Sequence, residues 1–276
     1  MQERLIDRAD TLRVRTRSTK KHEAGRRSSR WRRLVSICIF FLIWQGFAQY
    51  ALPILKPDAA TLLPPPSSVV FAFIPLFNNG IIQADIVASL TRILIGFAIA
   101  TVVGVTLGAL MGFWPLAGRL LDPLVQFLRP IPPMAWIPIA LVWFGISDEQ
   151  NIFIIFLGAL YPIVVNTYAG VRDVDRNLIW AAETLGGKRW QILREIVVPG
   201  ALPVILTGLR IGLGIGWMAL VAAELVGASS GLAFLIEDAR NLLFTERVML
   251  GMALIGILGF GMDQIMRFAQ RKLVHG

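Results

Sequence analysis

Apolar residues run here in stretches of about twenty, the length a helix needs to cross the roughly 30 Å hydrocarbon core of a bilayer. Six segments qualify, at about 34–52, 88–113, 121–143, 150–170, 202–226 and 247–267. With 55% of the 276 residues apolar, the chain reads as a polytopic membrane protein and not as one soluble core. The fold class predicted is all-α with six transmembrane helices. Between the second and third runs only Trp114 to Leu120 is left for a loop, and Arg129, Pro130, Pro132 and Pro133 interrupt the third. That span is expected to be broken or kinked, because proline removes a helical donor and irregular backbone at membrane depth must be accommodated.

Charge sets the orientation. Residues 1–33 hold 12 Lys or Arg against 4 acids, a net of +8 out of +9 for the whole chain. This arm is read as a retained, disordered cytoplasmic tail that fixes topology and touches anionic headgroups. Nucleic-acid binding and a cleaved leader are the weaker alternatives, since the arm carries one aromatic, Trp31, and no clear small-x-small cleavage site follows. The loop from Arg172 to Arg194 adds Arg172, Arg176, Lys188, Arg189 and Arg194, whereas 53–87 has only Lys56, 227–246 only Arg240 and 144–149 no basic residue. An N-in/C-in topology follows. The domain division expected is 1–33 for the tail and 34–276 for the membrane domain.

The inventory excludes much chemistry. Cys38 is the only cysteine, and His22 and His275, the only histidines, sit near the chain ends. No intramolecular disulfide, cysteine-based zinc site or histidine triad is available in the membrane core, and no metal site is expected. The closest approach to a phosphate-binding G-x-x-x-x-G-K-[ST] loop is Gly187-Lys188, followed by Arg189 and with Ala182 at the first glycine position. The chain has no such ATP site.

Between the fourth and fifth runs lies WAAETLGGKRWQILREIVVP, Trp180 to Pro199. Asp175 is a candidate N-cap; Leu178, Ile179, Ala182 and Leu185 form a stripe that ends at Gly186-Gly187. Trp190, Leu193, Ile196 and Val197 form a second stripe that ends at Pro199. Two short amphipathic helices joined by a tight turn are predicted, a docking surface held between spans.

These residues resemble the Glu-Ala-Ala loop of ATP-binding-cassette importer permeases through Ala181, Ala182, Gly186, Ile196 and Pro199. Trp180 stands where that family usually has Glu, and Val198 where it has Leu; Glu183 and Glu195 are the acids left to supply the charge. LLPPPSSV at 62–69, RPIPPMAWIPIALVWFGI at 129–146 and LPVILTGLRIGLGIGWMALVAAELVGASSGL at 202–232 look like the taurine, sulfonate and nitrate branch. The resemblance, over roughly residues 34–272, implies a type I importer permease, a non-catalytic subunit of a bacterial inner membrane with a cytoplasmic coupling loop at about 172–199. Its coupling residues would be Trp180, Ala181, Ala182, Glu183, Gly186, Ile196 and Pro199. It further implies a second copy of the chain, two ATPase subunits that carry the ATP and Mg, a periplasmic or surface solute-binding protein, and a substrate such as a sulfonate, taurine or nitrate. No cofactor on this chain and no nucleic-acid partner is expected. The rival from another class is an ion-coupled carrier or channel, which calls for a midplane acidic site or an inverted repeat.

Charged residues at membrane depth are functional candidates because desolvation costs several kcal/mol unless they are paired. Arg92 and Glu224 fall at similar depth, and so do Arg210 and Asp263; each set is a candidate ion pair. Arg129, Asn166 and Arg210 are the candidates for a solute pathway that attracts an anion. Gly96, Ala100, Gly104, Gly108 and Gly112 repeat every fourth residue, as do Gly208, Gly212 and Gly216. Close helix packing within one chain, a dimer interface or a gating surface would each use such stripes.

Overall fold

The computed structural model describes residues 35–36, 38–51, 54 and 63–275. The basic arm, 1–33, lies outside the described residues. The chain divides into two compact units at Phe71/Ala72. In the first, helix α1 (Cys38–Tyr50) ends in a π turn, Phe47–Ala51. Gln45 ties it to the start of α2 (Pro66–Asn78): Gln45 Nε2 donates to Ser67 Oγ at 3.0 Å, and the Ser67 amide donates back to Gln45 Oε1 at 3.1 Å.

The second unit contains α3 (Ile81–Phe113), α4 (Pro115–Leu128), a 3-10 turn (Pro133–Trp136), α5 (Ile137–Phe144) and α6 (Asp148–Arg172). After these come α7 (Arg176–Thr184), α8 (Arg189–Gly227), α9 (Leu232–Asn241) and α10 (Thr245–His275). Among the described residues four helices are long and apolar enough to cross a membrane: α3, α6, α8, and α10 as far as Leu273. The pair α4 and α5 meets the same test as one span bent by 85°. The bend falls at the Arg129-Pro130-Ile131-Pro132-Pro133 run, where the donors missing from three prolines leave no continuous helical ladder. The first apolar run takes the form of the shorter α1.

α6 is the axis of the unit. It starts where Ser147 accepts from the Gln150 amide at 3.4 Å, with Asp148 and Glu149 in the first turn to complement the helix dipole. α3 and α8 pack along its two sides through the glycine stripes. A methyl group at Gly108 would sit 2.7 Å from the Val164 carbonyl oxygen, and one at Gly212 would sit 3.0 Å from the Ala159 oxygen. α6 answers with its own glycines: Gly158 faces Ala219 and Gly170 faces Val204. Both stripes therefore serve packing within the chain, with backbones brought close enough for extensive dispersion contact. Ile93, Ile155, Leu213, Trp217, Leu220 and Leu232 form one buried cluster, covered by Leu254 and Leu258 of α10.

Several boundaries differ from the sequence reading: the loop expected at Trp114 to Leu120 is helical from Pro115 onward, and the last helix runs past 267. α3 begins at Ile81, before the expected 88, and α8 does not stop at Pro199 but runs unbroken from Arg189 to Gly227. A π turn at Leu193–Val197 widens the helix just before the proline, and the Val198 amide donates to the Leu193 carbonyl. The register shift accommodates a ring that would otherwise press on the preceding turn.

Candidate functional site

Three constellations on this frame carry the candidate residues. The first is the hairpin of α7 and the start of α8. Asp175 caps α7, its Oδ1 accepting from the Asn177 amide at 2.9 Å. At the other end the Gly187 amide donates to the Ala182 carbonyl at 2.9 Å and the Gly186 amide to Glu183 at 3.0 Å, a Schellman motif that requires its penultimate residue to be left-handed. Gly186 has φ +83°, with open space around it. It is there for backbone conformation, while Gly187 is the glycine of close approach: a methyl group on it would lie 2.9 Å from the Ala182 oxygen.

The apolar residues of the hairpin sort differently from the two predicted stripes. Ile192 and Val197 are buried with Val171, Ala201 and Ile205, and Ile179, Ala182 and Leu193 pack against that cluster beside Val105 and Phe113 of α3. Leu178, Trp180, Leu185 and Trp190 point away and are exposed, Leu185 by 89% and Trp190 by 69%. Ala181, Glu183 and Pro199 are exposed, and Ile196 is half-buried. Among the described residues Glu183, Lys188, Arg189, Arg194 and Glu195 form no ion pair. The hairpin therefore has an inner face keyed into α3, α6 and α8 and an outer face of aromatic, aliphatic and charged groups.

The second constellation lies at the opposite end of α8. Arg92, 4% exposed, donates through Nη1 to Glu224 Oε1 at 2.8 Å and through Nε to Asp148 Oδ1 at 2.7 Å. Its Nη2 reaches Ser230 Oγ at 3.0 Å. Glu224 also accepts from Ser89 Oγ at 2.8 Å and from the Ala233 amide at 3.1 Å. Asp85 accepts from the Gly231 amide at 2.8 Å, and Ser89 Oγ accepts from the Leu232 amide at 2.9 Å. Three successive amides at the start of α9, which helix geometry leaves without partners, are thus taken by Asp85, Ser89 and Glu224. Asp85, Ser89 and Arg92 share one face of α3, a spacing legible in the sequence; that loop 230–233 would come to meet them was not.

Arg210 and Asp263 meet lower down, Nε to Oδ1 at 2.7 Å, and Asp263 accepts from Arg267 as well at 2.8 Å. Both partners of the first pair are about a third exposed.

The third constellation surrounds the break between α4 and α5. Arg129 at the break, Tyr161 and Asn166 of α6 and Ile211 and Ile215 of α8 line a cavity of about 290 Å³. Arg210 does not line it. Asn166 is anchored through Nδ2 to the Pro162 carbonyl at 2.8 Å, and Gly208 leaves room for its Cβ. Among the described residues no acid pairs with Arg129, and no group of three His, Cys, Asp or Glu could hold a metal ion.

The chain has the fold of a type I importer permease: the methionine transporter MetNI, in an inward-facing form, aligns over 74% of this chain and 97% of its own with a TM-score of 0.61 at 20% identity. Residues 100–275 match the family described as binding-protein-dependent transport system inner membrane component. The taurine transport system permease protein TauC of Escherichia coli (strain K12) is 38% identical, over 87% of this chain and 88% of its own. The bicarbonate transport system permease protein CmpB of Synechococcus elongatus is 36% identical over 87% and 88%. The chain belongs to this family and is an inner-membrane permease of the ATP-binding-cassette importer class, a class distinct from the ion-coupled carrier considered as its rival.

Proposed function

We propose that two copies of this chain form the pathway for a small anion, with N-termini and C-termini in the cytoplasm, lipid around the spans, and one hairpin per copy seated on each of two ATPase subunits. A separate solute-binding protein delivers the substrate, and ATP and Mg belong to the ATPase, so this chain needs no cofactor and no nucleic acid. The relatives' substrates, taurine through its sulfonate group and bicarbonate, together with Arg129, Asn166 and Arg210, support a substrate with an anionic oxyanion group; the paired state of Arg210 shifts the weight to Arg129 and Asn166. Arg92, Glu224 and Asp263 act as structural partners.

The observation that carries the reading is the two-faced hairpin. Its inner face shares one buried cluster with three long helices, and α8 continues from it without interruption to Gly227. A push on the outer face therefore moves spans and not a loose loop, which is what alternating access driven from outside the chain requires. Exposed tryptophans with apolar neighbours and free charges have the composition of interface anchors.

Leu185 provides the test, because it is almost fully exposed and its substitution disturbs no packing. Leu185→Asp is expected to insert and melt like the parent while the ATPase no longer co-purifies and uptake falls at least tenfold. A Leu185→Asp variant that assembles with the ATPase and transports normally would remove the hairpin from the docking surface.

A further inference from the structure

Two neighbouring amides in the first turn of α6 are fully enclosed without a full set of partners. Gln150 and Asn151 are both 0% exposed. Asn151 directs its Nδ2 hydrogens to the Ser147 carbonyl at 3.0 Å and the Gly227 carbonyl at 3.3 Å. Among the described residues its Oδ1 has no partner, and neither Oε1 nor Nε2 of Gln150 has one. Thr101 and Thr167 also bury hydroxyls without a partner, but a threonine within a helix can turn its hydroxyl onto the carbonyl one turn back. Gln150 has no such relief, because its amide reaches across to the end of α8: a methyl group on Gly227 would lie 2.8 Å from Oε1 and 2.9 Å from Leu141 of α5. Turning the amide over exchanges its oxygen and nitrogen and leaves the same deficits.

Both amides converge on Gly227, the last residue of α8. A helix leaves its final carbonyls without intrahelical donors, and Ala228 continues in extended conformation, φ −128° and ψ 157°, so the backbone does not curl back to cap them. The place therefore gathers unmet acceptors and one unmet amide donor, all of them neutral. An anion would face amide and carbonyl oxygens at the negative end of the α8 dipole. A cation would face Nε2 with no free carboxylate, since Glu224 and Asp148 are both engaged by Arg92. Water both donates and accepts, and enclosed polar groups left short of partners are where proteins hold it. Gly227 keeps the place open, since a side chain there would press on Oε1. We propose that Gln150, Asn151 and the end of α8 bind at least one ordered water, which joins α6 to α8 beneath Leu141 of α5, next to the Arg92 clamp. The site belongs to one chain and goes beyond the permease reading above, on which it does not depend.

The test combines density with stability. The assembled transporter is imaged by cryo-electron microscopy at a resolution that shows ordered water, as the parent and as Gln150→Met, which keeps the length of the side chain and removes its polar atoms. The Tm of the purified permease is measured for both. The parent is expected to show a peak at hydrogen-bond distance, about 2.7–3.2 Å, from the Gln150 amide and from Asn151 Oδ1 or an α8 carbonyl. Gln150→Met is expected to lose that peak and to melt below the parent by about 2–4 °C, because it strips a bridging water of a partner. The sign separates a wet joint from a dry one, since removing an amide that truly lacks partners is neutral or stabilising. A parent without the peak, a peak that persists in Gln150→Met, or a variant that melts at or above the parent would each overturn the site. Should Gln150→Met fail to assemble, the parent density alone decides.

Discussion

Glu224 and Asp263 are both carboxylates on membrane-spanning helices, and their surroundings give them unequal weight. Glu224 is enclosed, with Arg92 on one side and Ser89 and the α9 amide of Ala233 on the other. Replacing it by Gln keeps the shape but removes the one buried carboxylate on Arg92, which is left with only the exposed Asp148 for charge, a loss of up to about 3–5 kcal/mol by the behaviour of broken buried pairs. Glu224→Gln is therefore expected to lower the Tm of the purified permease strongly, whereas Asp148→Asn, at the exposed end of the same arginine, should lower it little because water screens that contact. Equal losses would contradict the clamp as described. Gly231 belongs to the same clamp: at φ +122° with the Glu224 carboxylate 2.5 Å from where a methyl group would lie, even alanine is expected to displace α9. Arg210→Ala should have only a small effect, since Asp263 keeps Arg267. The depth pairing of Arg210 with Asp263 was legible in the sequence; the second arginine was missed because an i, i+4 neighbour looks like ordinary surface spacing.

At the level of elements, the glycine stripes make a prediction with two signs. Gly108 lies where any side chain meets the backbone of α6, while Gly214, two positions off the packed stripe, has nothing within 4 Å. Gly108→Ala is expected to cost about 1–3 kcal/mol by overpacking, and Gly214→Ala to gain up to about 1 kcal/mol from lower backbone entropy. Opposite shifts in Tm check this; destabilisation by both would mean that Gly214 faces a second surface. The break between α4 and α5 was readable from its prolines because no helix can carry three such losses in five residues. The passage of α8 through Pro199 was not, since a π turn leaves no mark in composition. Nor could periodicity say which apolar residues of the hairpin face the core: Ile192 and Trp190 are both apolar and two positions apart, and only the approach of α3 and α6 decides that the first is buried and the second exposed.

For the whole molecule, the arrangement places a keyed hairpin at one end of α8 and the buried clamp at the other. Val197 and Glu224 are 27 residues apart (224 − 197), about 40 Å along a helix. A continuous helix of that length is long enough to carry motion across a roughly 30 Å hydrocarbon core without relying on loops. The central claim is that the hairpins move with the ATPase and that the spans follow. Cys38 is the only cysteine, so Cys38→Ser with Asn177→Cys, an exposed position on α7, gives one spin label per copy. The decisive measurement is the label-to-label distance in the assembled transporter by pulsed electron resonance, first without nucleotide and then trapped with ATP and vanadate. The account predicts that the two hairpins draw together by several ångströms on trapping, in a protein that still transports; an unchanged distance in a transporting complex would contradict it.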